Sequence, residues 1–251
     1  WNKEFKIASK INIHKMEWTL DYEDLKVNPL LKSSGQQEIN KLKKEYGIKI
    51  PSLTGDCFMQ KPFWKETNKL VLKDLLNDLK DICIASNKMG IKIIVIPIVD
   101  NGAIENKTQK NNLLSLLLSS VDFFRKLNLM ILFECDFEPK ETSCFISQFP
   151  EDVFGINYDT GNSASLGYCC DEEFKEYGDR IKNVHIKDRL KGGSTVELTR
   201  GDADFKKIFK NLRSINYKGN LIMQTARAKD GDHEKALIKY KHMIENWIGE
   251  R

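Results

Sequence analysis

Seven short apolar runs punctuate the chain, each separated from the next by a polar stretch with helical spacing. They fall at residues 15–19, 49–53, 92–98, 129–135, 153–159, 183–187 and 220–224. Most are apolar nearly throughout rather than alternating, as strands covered on both faces must be. The intervening patterns predict helices at 5–11, 36–46, 68–89, 110–126, 142–148, 172–179, 204–215 and 234–248. Gly47 and Gly90 stand where two of them should stop, and Asp204 stands where one should start. Strands alternating with helices through short loops specify an α/β fold whose parallel sheet has helical crossovers. The expectation is a (β/α)8 barrel. Seven strands preceded by a helix leave the first strand of such a barrel upstream of Trp1. An open doubly wound sheet is the alternative, but its Gly-x-Gly-x-x-Gly signature after a strand is missing. No repeat, low-complexity tract or linker interrupts the pattern, so residues 1–251 read as one domain.

Charge and cysteine usage exclude several classes of function. Lys plus Arg is 40 and Asp plus Glu is 36, for a formal net charge of +4. The basic residues are spread along helical faces with no block suited to nucleic acid. No apolar run approaches the length of a membrane span. Six cysteines are scattered without a Cys-x-x-Cys pair, and adjacent Cys169 and Cys170 make a poor disulfide. Reduced thiols in a cytoplasmic protein are expected.

Four polar residues stand where successive apolar runs end: Glu134, Asp159, His185 and Gln224. Strand C-termini converge on one mouth of a parallel barrel. A Glu, an Asp, a His and an amide oxygen meeting there suit one divalent cation. Taken singly, Asp159 reads as a turn or cap residue and His185 as a satisfied core histidine. Glu134 is harder to dismiss, because a carboxylate inside an apolar strand must be paired, protonated or metal-bound. Asp159-Thr160-Gly161 also invites an aspartic-protease reading, but that chemistry needs two such carboxylates and only one copy exists. Lys187, Arg189, Arg200 and Arg227 follow the last strands closely, where barrels often hold phosphate. Ordinary surface charge explains these cations equally well, and Arg227, three residues past the last strand, is the best placed of them for an anion contact. Trp18, Phe58, Phe63 and Trp64 either wall a pocket or belong to the core.

These residues give the chain a resemblance to the sugar phosphate isomerase/epimerase family with a xylose-isomerase-like TIM barrel. The segments that carry it include Glu17-Trp18-Thr19-Leu20-Asp21, Ile50-Pro51-Ser52-Leu53-Thr54-Gly55-Asp56-Cys57, Phe133-Glu134, Asn157-Tyr158-Asp159-Thr160-Gly161-Asn162, Val184-His185-Ile186-Lys187-Asp188 and Tyr217-Lys218-Gly219-Asn220. The resemblance implies a metal-dependent isomerase or epimerase acting on a sugar or sugar phosphate through a metal-stabilised enediolate. Glu134, Asp159, His185 and Gln224 would be the metal ligands, with Glu134 and residue 224 also handling protons. Mn, Mg or Co would be favoured over Zn. Substrate contacts would come from Arg227, Lys187, Arg189, Asp188, Asn162 and Glu17, and a homo-oligomer is compatible with the family.

Two departures from the family pattern stand out. Gln224 replaces a glutamate, and Asn162 stands where ketose 3-epimerases often have a histidine. The first keeps alive a degenerate barrel that binds a carbohydrate without turnover. The similar-looking endonucleases that cut at abasic sites use a histidine-rich zinc cluster, and this chain has four histidines with only His185 well placed.

Overall fold

The computed structural model describes residues 1–249. Seven strands form one sheet in chain order: β1 (Lys15–Thr19), β2 (Lys49–Thr54), β3 (Ile93–Ile98), β4 (Met130–Cys135), β5 (Phe154–Asp159), β6 (Ile181–Ile186) and, after a small hairpin, β9 (Asn220–Met223). The registers resolved along it are parallel. The hairpin, β7 (Asp188–Arg189) with β8 (Thr195–Val196), is antiparallel and was not expected from sequence, since two-residue strands carry no readable pattern.

By packing, the chain divides into two compact units. The first comprises residues 1–135 and 147–155. It holds β1 to β4, the opening of β5, and helices α1 (Asn2–Lys10), α2 (Ser33–Tyr46), α3 (Asp56–Gln60), α4 (Lys69–Met89), α5 (Lys107–Leu118) and α6 (Val121–Lys126). The Asn68 side chain caps α4 by accepting from the Leu70 and Val71 amides, and Gly90 ends it at φ 76°. Its buried face carries Leu75, Leu79, Ile82 and Met89. The single helix expected over 110–126 is two helices. Ser119 and Ser120 both turn their hydroxyls onto the Leu116 carbonyl, and such local bonds compete with the helical ladder. The core includes an aromatic cluster of Phe124, Phe133, Phe149 and Phe154. Trp18, Phe58, Phe63 and Trp64 are all buried in this unit. The Trp18 indole donates to Asn28 and the Trp64 indole to the Gly102 carbonyl.

The second unit comprises residues 136–146 and 156 onward. It holds the rest of β5, β6 to β9, and α7 (Pro139–Ile146), α8 (Thr160–Leu166), α9 (Cys170–Tyr177), α10 (Phe205–Ser214) and α11 (His233–Gly249). Helix α7 begins three residues earlier than its apolar pattern, at a proline suited to a first helical position. Asp204 caps α10 through the Lys207 amide, as its position implied. Helices α3 and α8 were invisible to periodicity because they are five and seven residues long.

Thiol chemistry offers a check on this packing. Cys144 and Cys169 are exposed, whereas burial pushes the Cys57 and Cys83 thiols up to about 12. Titration of the native protein with a thiol reagent should modify Cys144 and Cys169 quickly and leave Cys57 and Cys83 unmodified until denaturant is added. Fast labelling of Cys83 in the native state would contradict the core described here.

Candidate metal centre

On β5 and β6 the strand alternation places Asn157 and Asp159 on one face with Asn183 and His185. All four are buried. A fully covered strand face would ordinarily be apolar, so two successive polar pairs in register need a reason. They hold each other in order. Asn183 Nδ2 donates to Asn157 Oδ1 at 2.8 Å, which turns the Asn157 amide N–H toward His185 Nδ1 at 3.1 Å. In the neutral ring this leaves the proton on Nε2 and the lone pair on Nδ1. That same Nδ1 lies 3.9 Å from Asp159 Oδ2.

The two oxygens of Asp159 have different duties. Oδ1 accepts from the Gly161 and Asn162 amides, both at 2.8 Å, and so caps α8. Oδ2 is buried and makes no aligned hydrogen bond, but Lys187 Nζ lies 2.8 Å from it as an ion pair. The Lys187 stem crosses Gly161, where a Cβ would stand only 2.7 Å from Lys187 Cγ. The Lys187 backbone is fastened by Thr160, whose hydroxyl accepts from its amide at 2.9 Å and donates to its carbonyl at 2.6 Å.

Glu134, the penultimate residue of β4, is buried and in register with Pro97. Among the described residues, Glu134, Asp159 and His185 are the trio of acidic and histidine side chains whose ligand atoms all lie within 4.8 Å of one another. Their chemistry fits a divalent ion: two carboxylates, one with an oxygen lacking a hydrogen bond, and an imidazole. Gln224 follows β9 on the face shared with His185 and Asn183. It donates its backbone amide to the Ile186 carbonyl at 3.1 Å, and its side chain is exposed.

The remaining expected residues fall in different settings. Arg189 is tied to Asn162 through Nη1 at 2.9 Å and to the Gly193 carbonyl through Nε and Nη2. Arg227 is exposed beyond β9. Asp188 is fully buried and accepts from the Gly201 and Ala203 amides, so its carboxylate organises the 201–203 turn. Glu17, in the first unit, accepts from the Thr54 hydroxyl at 2.6 Å. Of the other histidines, His233 accepts from the Ala228 amide and His242 faces Glu245.

Sequence reasoning missed Asn157, Asn183, Thr160 and Gly161. The first two carried a signal, since each is an asparagine two positions before a candidate ligand and hence on the same strand face. It also missed Glu173. This buried carboxyl accepts from the Tyr158, Ser163 and Tyr177 hydroxyls behind the Asp159 strand end. Burial raises its pKa, partly offset by those donors.

A family model described as xylose isomerase-like TIM barrel matches residues 5–245. No curated protein matches the chain by sequence. Solved structures resemble it at low identity. A xylose isomerase domain protein from Planctomyces limnophilus superposes with a TM-score of 0.79 at 15% identity, covering 96% of this chain and 91% of that one. A D-psicose 3-epimerase solved in the presence of D-fructose gives 0.79 at 14% identity, covering 99% and 94%. A xylose isomerase-like TIM barrel protein from Mycobacterium smegmatis in complex with magnesium gives 0.73 at 14% identity, covering 99% and 88%. No helix among the described residues is long and apolar enough to cross a membrane.

Proposed function

Because this chain belongs to the xylose isomerase-like TIM barrel family, we propose that it is a metal-dependent isomerase or epimerase of a sugar or sugar phosphate. The carrying observation is the buried Glu134, Asp159 and His185 trio with converging ligand atoms. The relatives solved with magnesium and in the presence of D-fructose support the metal and the sugar in turn. One family model spanning residues 5–245 supports reading residues 1–251 as a single domain. Six cysteines without a disulfide among them support a cytoplasmic setting.

Asp159, His185 and Glu134 would hold the cation, with the Gln224 amide oxygen as fourth ligand. Mn, Mg or Co suits this oxygen-rich set better than Zn. A divalent ion held there would supply polarisation of the substrate carbonyl and its neighbouring hydroxyl. Glu134 removes the proton alpha to that carbonyl and returns it. Arg189 with Asn162, Arg227 and Glu17 contact the substrate's remaining hydroxyls or phosphate. Gln224 would ligate without titrating, so the four ligands would carry about −2 and balance a divalent ion. With no second carboxylate at position 224, one base serving a single face favours aldose–ketose isomerisation.

Proton abstraction can be read without knowing the net reaction. In D2O with Mn2+, a panel of ketoses and ketose phosphates should show deuterium entering alpha to the carbonyl of one member. Glu134→Gln should slow that exchange by about 10² to 10⁴. Exchange at the wild-type rate in Glu134→Gln would remove Glu134 as the base. Gln224 carries the second reading, a binder without turnover. If the wild type binds metal and exchanges nothing, while Gln224→Glu epimerises a ketose, that reading replaces the first.

A further inference from the structure

The Asp159 carboxylate has one oxygen committed to the α8 amides and one left for a cation, and an ammonium already stands beside it. We propose that Lys187 is a built-in counter-ion of the metal centre: it neutralises Asp159 Oδ2 before loading, yields that oxygen to the arriving ion, and so sets how much metal is needed. The inference rests on the reading of Asp159 and His185 as ligands.

Three observations carry it. First, the Lys187 ammonium lies 2.8 Å from the oxygen that also faces His185 Nδ1, so the cation and the ammonium claim the same electron pairs. A dication bound there would sit within a few ångströms of a positive charge in a buried setting, where like charges repel strongly. Second, the Lys187 head can move while its backbone stays in place. Its amide and carbonyl are fixed by the Thr160 hydroxyl, so the backbone need not follow the side chain. Its stem slides over Gly161, which presents no Cβ, and its side chain is 15% exposed against 1% for Asp159. A long cation with that access keeps its stem packed and carries its head toward water. Third, Asp159 Oδ2 makes no aligned hydrogen bond, so loading breaks none at that oxygen and the ammonium is the group that must yield.

The test is Mn2+ binding by calorimetry or electron paramagnetic resonance on the wild type, Lys187→Met and Lys187→Arg, each checked for folding by circular dichroism. Lys187→Met should bind Mn2+ about tenfold or more tightly than wild type, and Lys187→Arg should stay near the wild-type value. Equal or weaker binding by folded Lys187→Met overturns the proposal and leaves the metal reading intact. Absence of Mn2+ binding in both folded proteins overturns the metal reading and the proposal with it. A measurement on the wild type alone guards against misfolding of the variants. Amine acetylation followed by mass spectrometry should show Lys187 several-fold more reactive with Mn2+ than without. Unchanged or reduced reactivity on adding Mn2+ overturns the displacement.

Discussion

Asp159→Asn and Asp159→Ala should both abolish Mn2+ binding but differ in stability. The asparagine keeps an oxygen able to accept from the Gly161 and Asn162 amides, and Asn caps helices about as well as Asp. The alanine loses the cap and leaves Lys187 beside an empty space in a mostly buried setting. Loss of a cap costs about 0.5 to 2 kcal/mol. At roughly 2 to 4 °C per kcal/mol for a chain of this size, Asp159→Ala should melt several degrees below Asp159→Asn. Asn and Ala variants of equal melting temperature would show that the capping bonds contribute nothing measurable. Retention of wild-type Mn2+ affinity by Asp159→Asn would remove Asp159 from the ligand set.

Glu173→Leu should be among the most damaging single changes in the second unit. Tyr158, Ser163 and Tyr177 all give their hydroxyl hydrogens to this carboxyl, and all three are buried. Leucine leaves three hydroxyls without that acceptor, at about 1 to 3 kcal/mol each where no water replaces it. A loss of about 3 kcal/mol or more is expected, read as the shift of a urea midpoint. The pH dependence has a definite sign. The folded pKa of Glu173 is raised from 4.5, first by burial. The folded state therefore holds its proton in a range where the unfolded chain has lost it. The stability from this group is fully present below the unfolded pKa and is lost as pH rises through the folded value. Glu173→Gln cannot titrate and should flatten that decline. A steeper decline in the variant would show that the carboxyl is ionised more readily in the fold than in the open chain.

The legible parts of this chain were those written with a long period. Seven apolar runs located seven strands, and Gly47, Gly90 and Asp204 marked helix ends because left-handed backbone and capping leave a residue-level trace. Three of the four candidate ligands were readable because each is a polar residue interrupting a buried strand end, which is costly without a partner. Other parts depended on short elements or on tertiary context. Helix α8 turns Asp159 into a cap, yet at seven residues it shows no period. The fate of Asp188 was equally hidden. The resemblance implied a substrate contact for it; both its oxygens accept from amides of the 201–203 turn, and no local pattern joins residues thirteen and fifteen positions apart. Lys187 was visible as a cation near a strand end; that its ammonium faces Asp159 follows only from the packing of its stem across Gly161.

The Thr160 hydroxyl holds residue 187 by its amide and its carbonyl alone. Any non-proline amino acid offers those two groups, so this anchor is indifferent to what is carried at 187. Substitutions at 187 can therefore change the chemistry there, to a shorter cation or an amide, without breaking these two bonds. The corner is thus pinned by Thr160 rather than by the side chain at 187, and Thr160→Val, which removes both bonds, should loosen it.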